Sequence, residues 1–157
     1  MRLAETFSTD DVDSVLLDQI QRNSRVSATA LAAQTGVAVS TIGERLRRLE
    51  REGVVQAYEA RLRPDKVGNA LCAFVQVLMV DPASEQKFVA AVIALDEVQE
   101  CHCMSGEYSY MLKVRTRDAA ELELLLREKI KVLPGVARTN SVIALTTSKE
   151  SSYLRVR

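Results

Sequence analysis

The chain has no tryptophan, and aromatic residues make up only 4% of it. That excludes the stacking platforms with which proteins grip single-stranded nucleic acid. Cysteine is scarce: Cys72, Cys101 and Cys103 form no disulfide framework in 157 residues and read as reduced, largely buried thiols. With His102 as the single histidine, no nucleophile, base and orienting group converge, which argues against an enzyme. Net charge is also lacking, since 21 basic residues balance 21 acidic ones, so no overall field draws the chain to polyanions. Residues 1–60 carry nine acids against seven arginines, which leaves room only for local basic contacts. No apolar run approaches the roughly 20 residues of a membrane span. The N-terminal MRLAETFSTDDVD has neither a secretory apolar core nor an arginine-rich transit pattern. A soluble, cytoplasmic protein without membrane partners is therefore expected.

What is present is concentrated in Ser27–Gly53, SATALAAQTGVAVSTIGERLRRLEREG. Two short helical patterns meet at Gly36, where a tight inter-helix turn needs a positive φ, and the second is studded with arginines. This is the pattern of a helix-turn-helix. The first pattern groups Leu31, Ala32 and Thr35, and the second groups Ile42, Leu46 and Leu49 on a buried face. Thr41, Glu44, Arg45 and Arg48 then lie on the opposite face, free to meet a groove of double-stranded DNA. Arg47 and Arg51 are placed for flanking phosphates, and Glu44 to accept from a cytosine amino group. The alternative is a solvated helix face on which Glu44, Glu50 and Glu52 pair with the arginines. Ala38 precedes the second helix and offers no capping oxygen, a role left to Ser40.

A helix from about Asp13 to Gln21, with Val12, Val15, Leu16 and Ile20 as its apolar face, closes a three-helix domain. The acids at 10, 11 and 13 favour its positive end. After Gly53 the segment VVQAYEARLRP alternates as a half-exposed strand would, which predicts a wing. From Leu71 the pattern reads strand, helix (about 83–95), strand (98–104), strand (110–115), helix (119–133), strand. That order is a ferredoxin-like βαββαβ arrangement. The fold class is thus α+β: a winged helix-turn-helix domain at 1–62, a linker at 63–70 and a ferredoxin-like domain at 71–157. Both faces of the 71–80 strand are largely apolar, and one set of helices covers one face only. A twofold homodimer that pairs the open faces is expected.

Two local features invite ligands. The turn Ser105–Tyr110 offers backbone amides around Gly106, the Glu107 carboxylate and the hydroxyls of Ser105 and Ser109, all suited to a zwitterion; an ordinary tight hairpin is the alternative. Cys101, His102 and Cys103 resemble metal ligands, but alternation along a strand sends the histidine away from both cysteines. No metal and no cofactor are expected.

Taken in order, LLDQIQRNSRVSATALAAQTGV, RLRRLEREGVV, YEARLRPDKVG, VQECHCMSGEYSYMLKV and LPGVARTNSVIAL resemble the Lrp/AsnC family of transcriptional regulators, over Asp11 to Thr147. The resemblance implies a DNA-binding winged helix-turn-helix that uses Ser40, Thr41, Glu44, Arg45, Arg47, Arg48 and Arg51. It also implies a regulation-of-amino-acid-metabolism (RAM, ACT-like) domain that holds an amino acid or related metabolite at Ser105, Gly106, Glu107, Tyr108, Ser109, Tyr110 and Thr139. Dimers that assemble into tetramers or octamers are implied as well. Ser109 stands where the family pattern usually has aspartate, which keeps open a second possibility, a constitutive architectural DNA-binding protein without a classical effector.

Overall fold

The computed structural model describes residues 8–156; the reading of residues 1–7 lies outside them. The described residues fall into two units, one running through Arg61 and resuming at Glu150, the other spanning Leu62–Lys149.

The first unit is built on three helices, α1 (Asp11–Arg22), α2 (Ala28–Thr35) and α3 (Val39–Arg51). α1 begins where the Asp10 carboxylate accepts from the backbone N–H of Asp13 at 2.8 Å. α2 begins at Ser27, whose hydroxyl accepts from Ala30 N–H at 3.1 Å. Gly36 ends α2 at φ +71°, as the helix-turn-helix reading requires. Ala38 leaves α3 with no side-chain cap, so the free amides of its first turn stay open. Leu16, Leu17, Ile20, Leu31, Ile42 and Leu49 form the core, each worth about 1.5–3 kcal/mol when fully buried.

Three expectations are corrected here. Leu17, not Val15, completes the inner face of α1, because the register 13, 16, 17, 20 points inward while Val15 is 39% exposed. The half-exposed strand expected over residues 54–63 does not form; the N–H groups of Val54 and Val55 donate to the carbonyl of Leu49 at 2.9 and 3.1 Å instead of to a partner strand. Residues 150–156, assigned with the second domain, belong with the first unit. There Gln21 donates to the carbonyl of Leu154 at 3.0 Å and accepts from its N–H at 2.7 Å, and Val156 packs on the helical core.

The second unit is the expected βαββαβ chain: β1 (Leu71–Met79), α4 (Glu85–Ile93), β2 (Val98–Cys103), β3 (Tyr110–Thr116), α5 (Ala119–Leu124, continued as a wider π turn over Leu125–Ile130) and β4 (Val136–Ile143). The sheet is antiparallel in the order β2-β3-β1-β4. Val75, Val77, Leu112 and Val114 face Phe88, Val92, Leu125 and Ile130 in one core. Gly135, at φ +82°, turns the chain into β4, where an added Cβ would sit 2.9 Å from that of Ser84. The opposite face of the sheet carries Phe74 and Gln76 of β1 in register with Val142 and Asn140 of β4. Phe74 is 39% and Val142 55% exposed, so this apolar face has no cover among the described residues.

Candidate DNA-binding and effector sites

α3 divides its arginines between two jobs. Spacings of three and four residues place Ile42, Leu46 and Leu49 inward, and Arg45 and Arg48 follow along the flank next to α1. There Arg45 donates to Asp10 at 2.7 Å and to Asp13 at 2.8 Å, and Arg48 donates to the other oxygen of Asp13. Asp13 is 1% exposed. The backbone N–H of Asp13 and then the Arg45 guanidinium hold the Asp10 carboxyl below its ordinary range, while the carboxylates of Asp10 and then Asp13 raise Arg45.

Arg45 and Arg48, expected to lie free on the groove-facing side, are instead paired with carboxylates of α1, with Arg45 half-buried and Arg48 still 40% exposed. The exposed stripe of α3 is Ser40, Glu44, Arg47 and Arg51, with Thr41 half-buried beside it. Arg47 folds back along the helix over Gly43, where an added Cβ would stand 3.5 Å from its guanidinium. The sequence reading missed Asp13 as a latch, assigning it to the helix dipole. The signal was there: residues 13, 16, 17 and 20 share a face, and an acid on an apolar face demands a partner.

The turn between β2 and β3 brings together most of the second predicted set. Ser105, Gly106 and Glu107 are exposed, while Tyr108 and Ser109 are half-buried. Glu107 is ion-paired with Arg138 of β4, whose guanidinium lies 5.2 Å from the centre of the Tyr108 ring. The Ser109 hydroxyl accepts from the Met79 N–H at 3.1 Å, and its own N–H donates to the carbonyl of Val77 at 2.9 Å. It is thus spent on the irregular end of β1 rather than turned to solvent. Gly106 is not among the glycines with positive φ, and a Cβ there would meet open space, so the backbone freedom expected of it is not what this turn uses.

Tyr110 departs from the set. Its ring is buried against Phe88 at 5.0 Å, and its hydroxyl donates to Glu85 at 3.3 Å. Burial first, then Glu85, raises that phenol. The alternation of β3 sends Tyr110 to the helix side, away from the turn. Thr139 lies opposite Val77 on β4, half-buried. Arg138, which no sequence pattern flagged, is the cation that reaches the turn. On β2, Cys101 and Cys103 sit opposite Leu112 and Tyr110, while His102 sits opposite Met111, 3.2 Å from Glu100; the three side chains do not converge.

Comparison with known proteins agrees with this geometry. Residues 9–56 match the family described as winged helix-turn-helix DNA-binding, and residues 72–154 match the Lrp/AsnC ligand binding domain. The leucine-responsive regulatory protein of Haemophilus influenzae is 35% identical over 147 residues, 92% of this chain and 89% of that one. The HTH-type transcriptional regulator LrpA of Mycobacterium tuberculosis is 40% identical over 138 residues, 88% and 91% of the two chains. Its crystal structure superposes with a TM-score of 0.81 at 39% identity, covering 90% of this chain and 96% of that one. A transcriptional regulator from Neisseria meningitidis, solved as a complex with L-methionine, superposes with a TM-score of 0.88 at 27% identity, covering 94% and 96%.

Proposed function

Because the chain belongs to the Lrp/AsnC family of DNA-binding, effector-controlled transcriptional regulators, we propose how its own residues carry out that role. α3 enters the major groove of a specific duplex with Ser40, Glu44, Arg47 and Arg51 toward the DNA and Thr41 at the margin. Arg45 and Arg48 act behind the helix and fix its angle on α1. The observation that carries this is the division of labour on α3: once Asp10 and Asp13 engage two arginines, one exposed polar stripe is left, at spacings of four, three and four residues.

The second unit senses an amino acid or a related metabolite at the turn formed by Ser105–Ser109. The uncovered sheet face around Phe74 and Val142 pairs with that of a second copy, which gives a twofold dimer with two α3 helices for a palindromic site. Such dimers assemble further into tetramers or octamers. The DNA-binding domain is completed by residues 150–156, and Leu62–Lys149 form the effector domain. The role is binding rather than catalysis, in keeping with relatives that are transcriptional regulators. Its place is the cytoplasm, on DNA; among the described residues no helix is long and apolar enough to cross a membrane.

Selection of bound duplexes from a random pool by the full chain tests this. One enriched, twofold-symmetric motif is expected, with recovery that changes when one of the standard amino acids is added. Absence of any enriched motif defeats specific readout. A motif indifferent to every amino acid instead favours the constitutive architectural role, with which the engaged Ser109 hydroxyl is consistent.

A further inference from the structure

β2 is an edge strand, paired with β3 on one side only. Over its last three residues the ladder is regular: Cys101 lies opposite Leu112, His102 opposite Met111 and Cys103 opposite Tyr110. The alternation that sends His102 to one face therefore leaves the two cysteines together on the other, the face that carries the buried Leu112 and Tyr110. Both thiols are free; Cys101 is half-buried against the core and Cys103 is exposed. Burial, and then the neighbouring Cys103, pushes the Cys101 thiol up, so the two sulfurs sense each other. The Tyr110 phenol, raised by burial and then by Glu85, feels both thiols as well.

The spacing decides what such a pair can do. Residues i and i+2 of a strand stand about 6.6–6.8 Å apart with their Cα–Cβ bonds parallel. A disulfide needs Cβ atoms about 3.5–4.5 Å apart, so these cysteines cannot be oxidised to each other without a break in the ladder. A cation held in line between two sulfurs spans more. With metal–sulfur bonds of about 2.3 Å the sulfurs sit about 4.6 Å apart, which each reaches by leaning about 1 Å inward from the strand spacing.

We infer that Cys101 and Cys103 form a two-coordinate site for a soft monovalent cation, Cu(I), held between their thiolates at the edge of the sheet. Among the described residues no group of three His, Cys, Asp or Glu side chains could hold a metal. Zinc, which takes four ligands in structural sites, and the hard cations, which take six or more oxygens, are thereby disfavoured. Thiolates select Cu(I) among the soft ions of biology. As the ion enters, each thiol gives its proton to solvent and no electron moves. The bis-thiolate complex carries one net negative charge, and the Tyr110 hydroxyl, now donating to Glu85 at 3.3 Å, is an O–H group on the same face that can turn to a sulfur. The site adjoins the turn Ser105–Ser109 but uses none of its residues, and it stands whether or not that turn holds an effector.

Titration of the reduced full chain with Cu(I) against a chromogenic Cu(I) chelator, without oxygen, tests this. One ion per chain is expected, with two sulfur neighbours in X-ray absorption at the copper edge and no added association on sedimentation. Cys101→Ser and Cys103→Ser are each expected to weaken the ion at least about a hundredfold, since even the loss of an outer-sphere partner costs about tenfold to a hundredfold. Cys72→Ala and His102→Gln are expected to bind like the parent, and melting of each variant checks that it folds. Parent-like affinity in either serine variant overturns the assignment, as does a nitrogen neighbour at the metal lost on His102→Gln. Copper that instead joins two chains through the exposed Cys103, seen as association that grows with added ion, overturns it too.

Discussion

The carboxylate of Asp13, on α1 and 1% exposed, accepts a hydrogen bond at 2.8 Å from Arg45 on α3, 32 residues away in sequence. Arg48 binds its second oxygen, so one buried acid fixes two arginines of the recognition helix. Removing one member of a buried pair costs about 3–5 kcal/mol. Both arginines here keep a route to water, which reduces the loss. Asp13→Ala is therefore expected to lower the stability of the three-helix unit by about 2 kcal/mol, read as faster hydrogen exchange across α1 and α3 with β1 and β3 unaffected.

Arg45→Ala and Arg47→Ala should fail differently. Loss of Arg45 loosens the seating of α3 and weakens all duplexes alike, together with the protection of α1 amides. Arg47→Ala and Arg51→Ala leave the fold intact and should each reduce the salt dependence of binding by about one ion if they contact phosphate. If Arg47 instead reads a guanine edge, its loss should cost about 1–3 kcal/mol of discrimination at one base pair. Competition binding at several salt concentrations distinguishes these outcomes, and unchanged affinity for both exposed variants removes the stripe from the interface.

Acid should loosen the same unit. The Asp13 N–H, then Arg45, holds Asp10 below the ordinary aspartate value, and Arg22, then Tyr153, does the same for Asp18. The unfolded chain therefore takes up these protons at higher pH than the folded one does. Their stabilisation is complete above the ordinary aspartate value of 3.8 and is lost as pH falls through the lower folded values. Asp10→Asn should flatten the pH dependence of melting below about pH 4 and leave it unchanged near neutrality.

Phe74→Arg places a charge on the uncovered sheet face without disturbing the core on the other side of β1. If that face holds two copies together, the variant sediments as a monomer at concentrations where the parent is a dimer. A variant that sediments like the parent would move the dimer interface elsewhere.

Much of this fold was legible because its signals are local. Gly36 between two amphipathic runs, Pro134-Gly135 before the last strand, and the apolar run Leu71–Val80 each report on neighbours within a few residues. The strand over Val54–Arg63 was not to be had from the sequence because alternation shows which side chains prefer water but not whether a partner strand exists. The pairing of the arginines was hidden for a related reason. Helical spacing put Arg45 and Arg48 away from the α3 core correctly, but whether that flank met solvent or α1 depended on Asp13, 32 positions earlier. Arg138 was invisible because only the register of β4 against β1 brings it to the turn that holds Glu107. Tyr110 was the reverse case: adjacent in sequence to the turn, it was counted with it, although the pleat sends its ring under α4.

The return of residues 150–156 to α1 has a consequence for how the protein is made. The three helices are synthesised before the second unit, yet the Leu154 backbone that bonds Gln21, the Tyr153 hydroxyl that donates to Asp18 at 2.5 Å, and the Val156 side chain that packs on the helical core emerge only after it. Domains usually fold in order of synthesis; here the earlier one is finished last. A chain clipped after Lys149 keeps the whole of the second unit but loses the contacts that residues 150–156 make with α1.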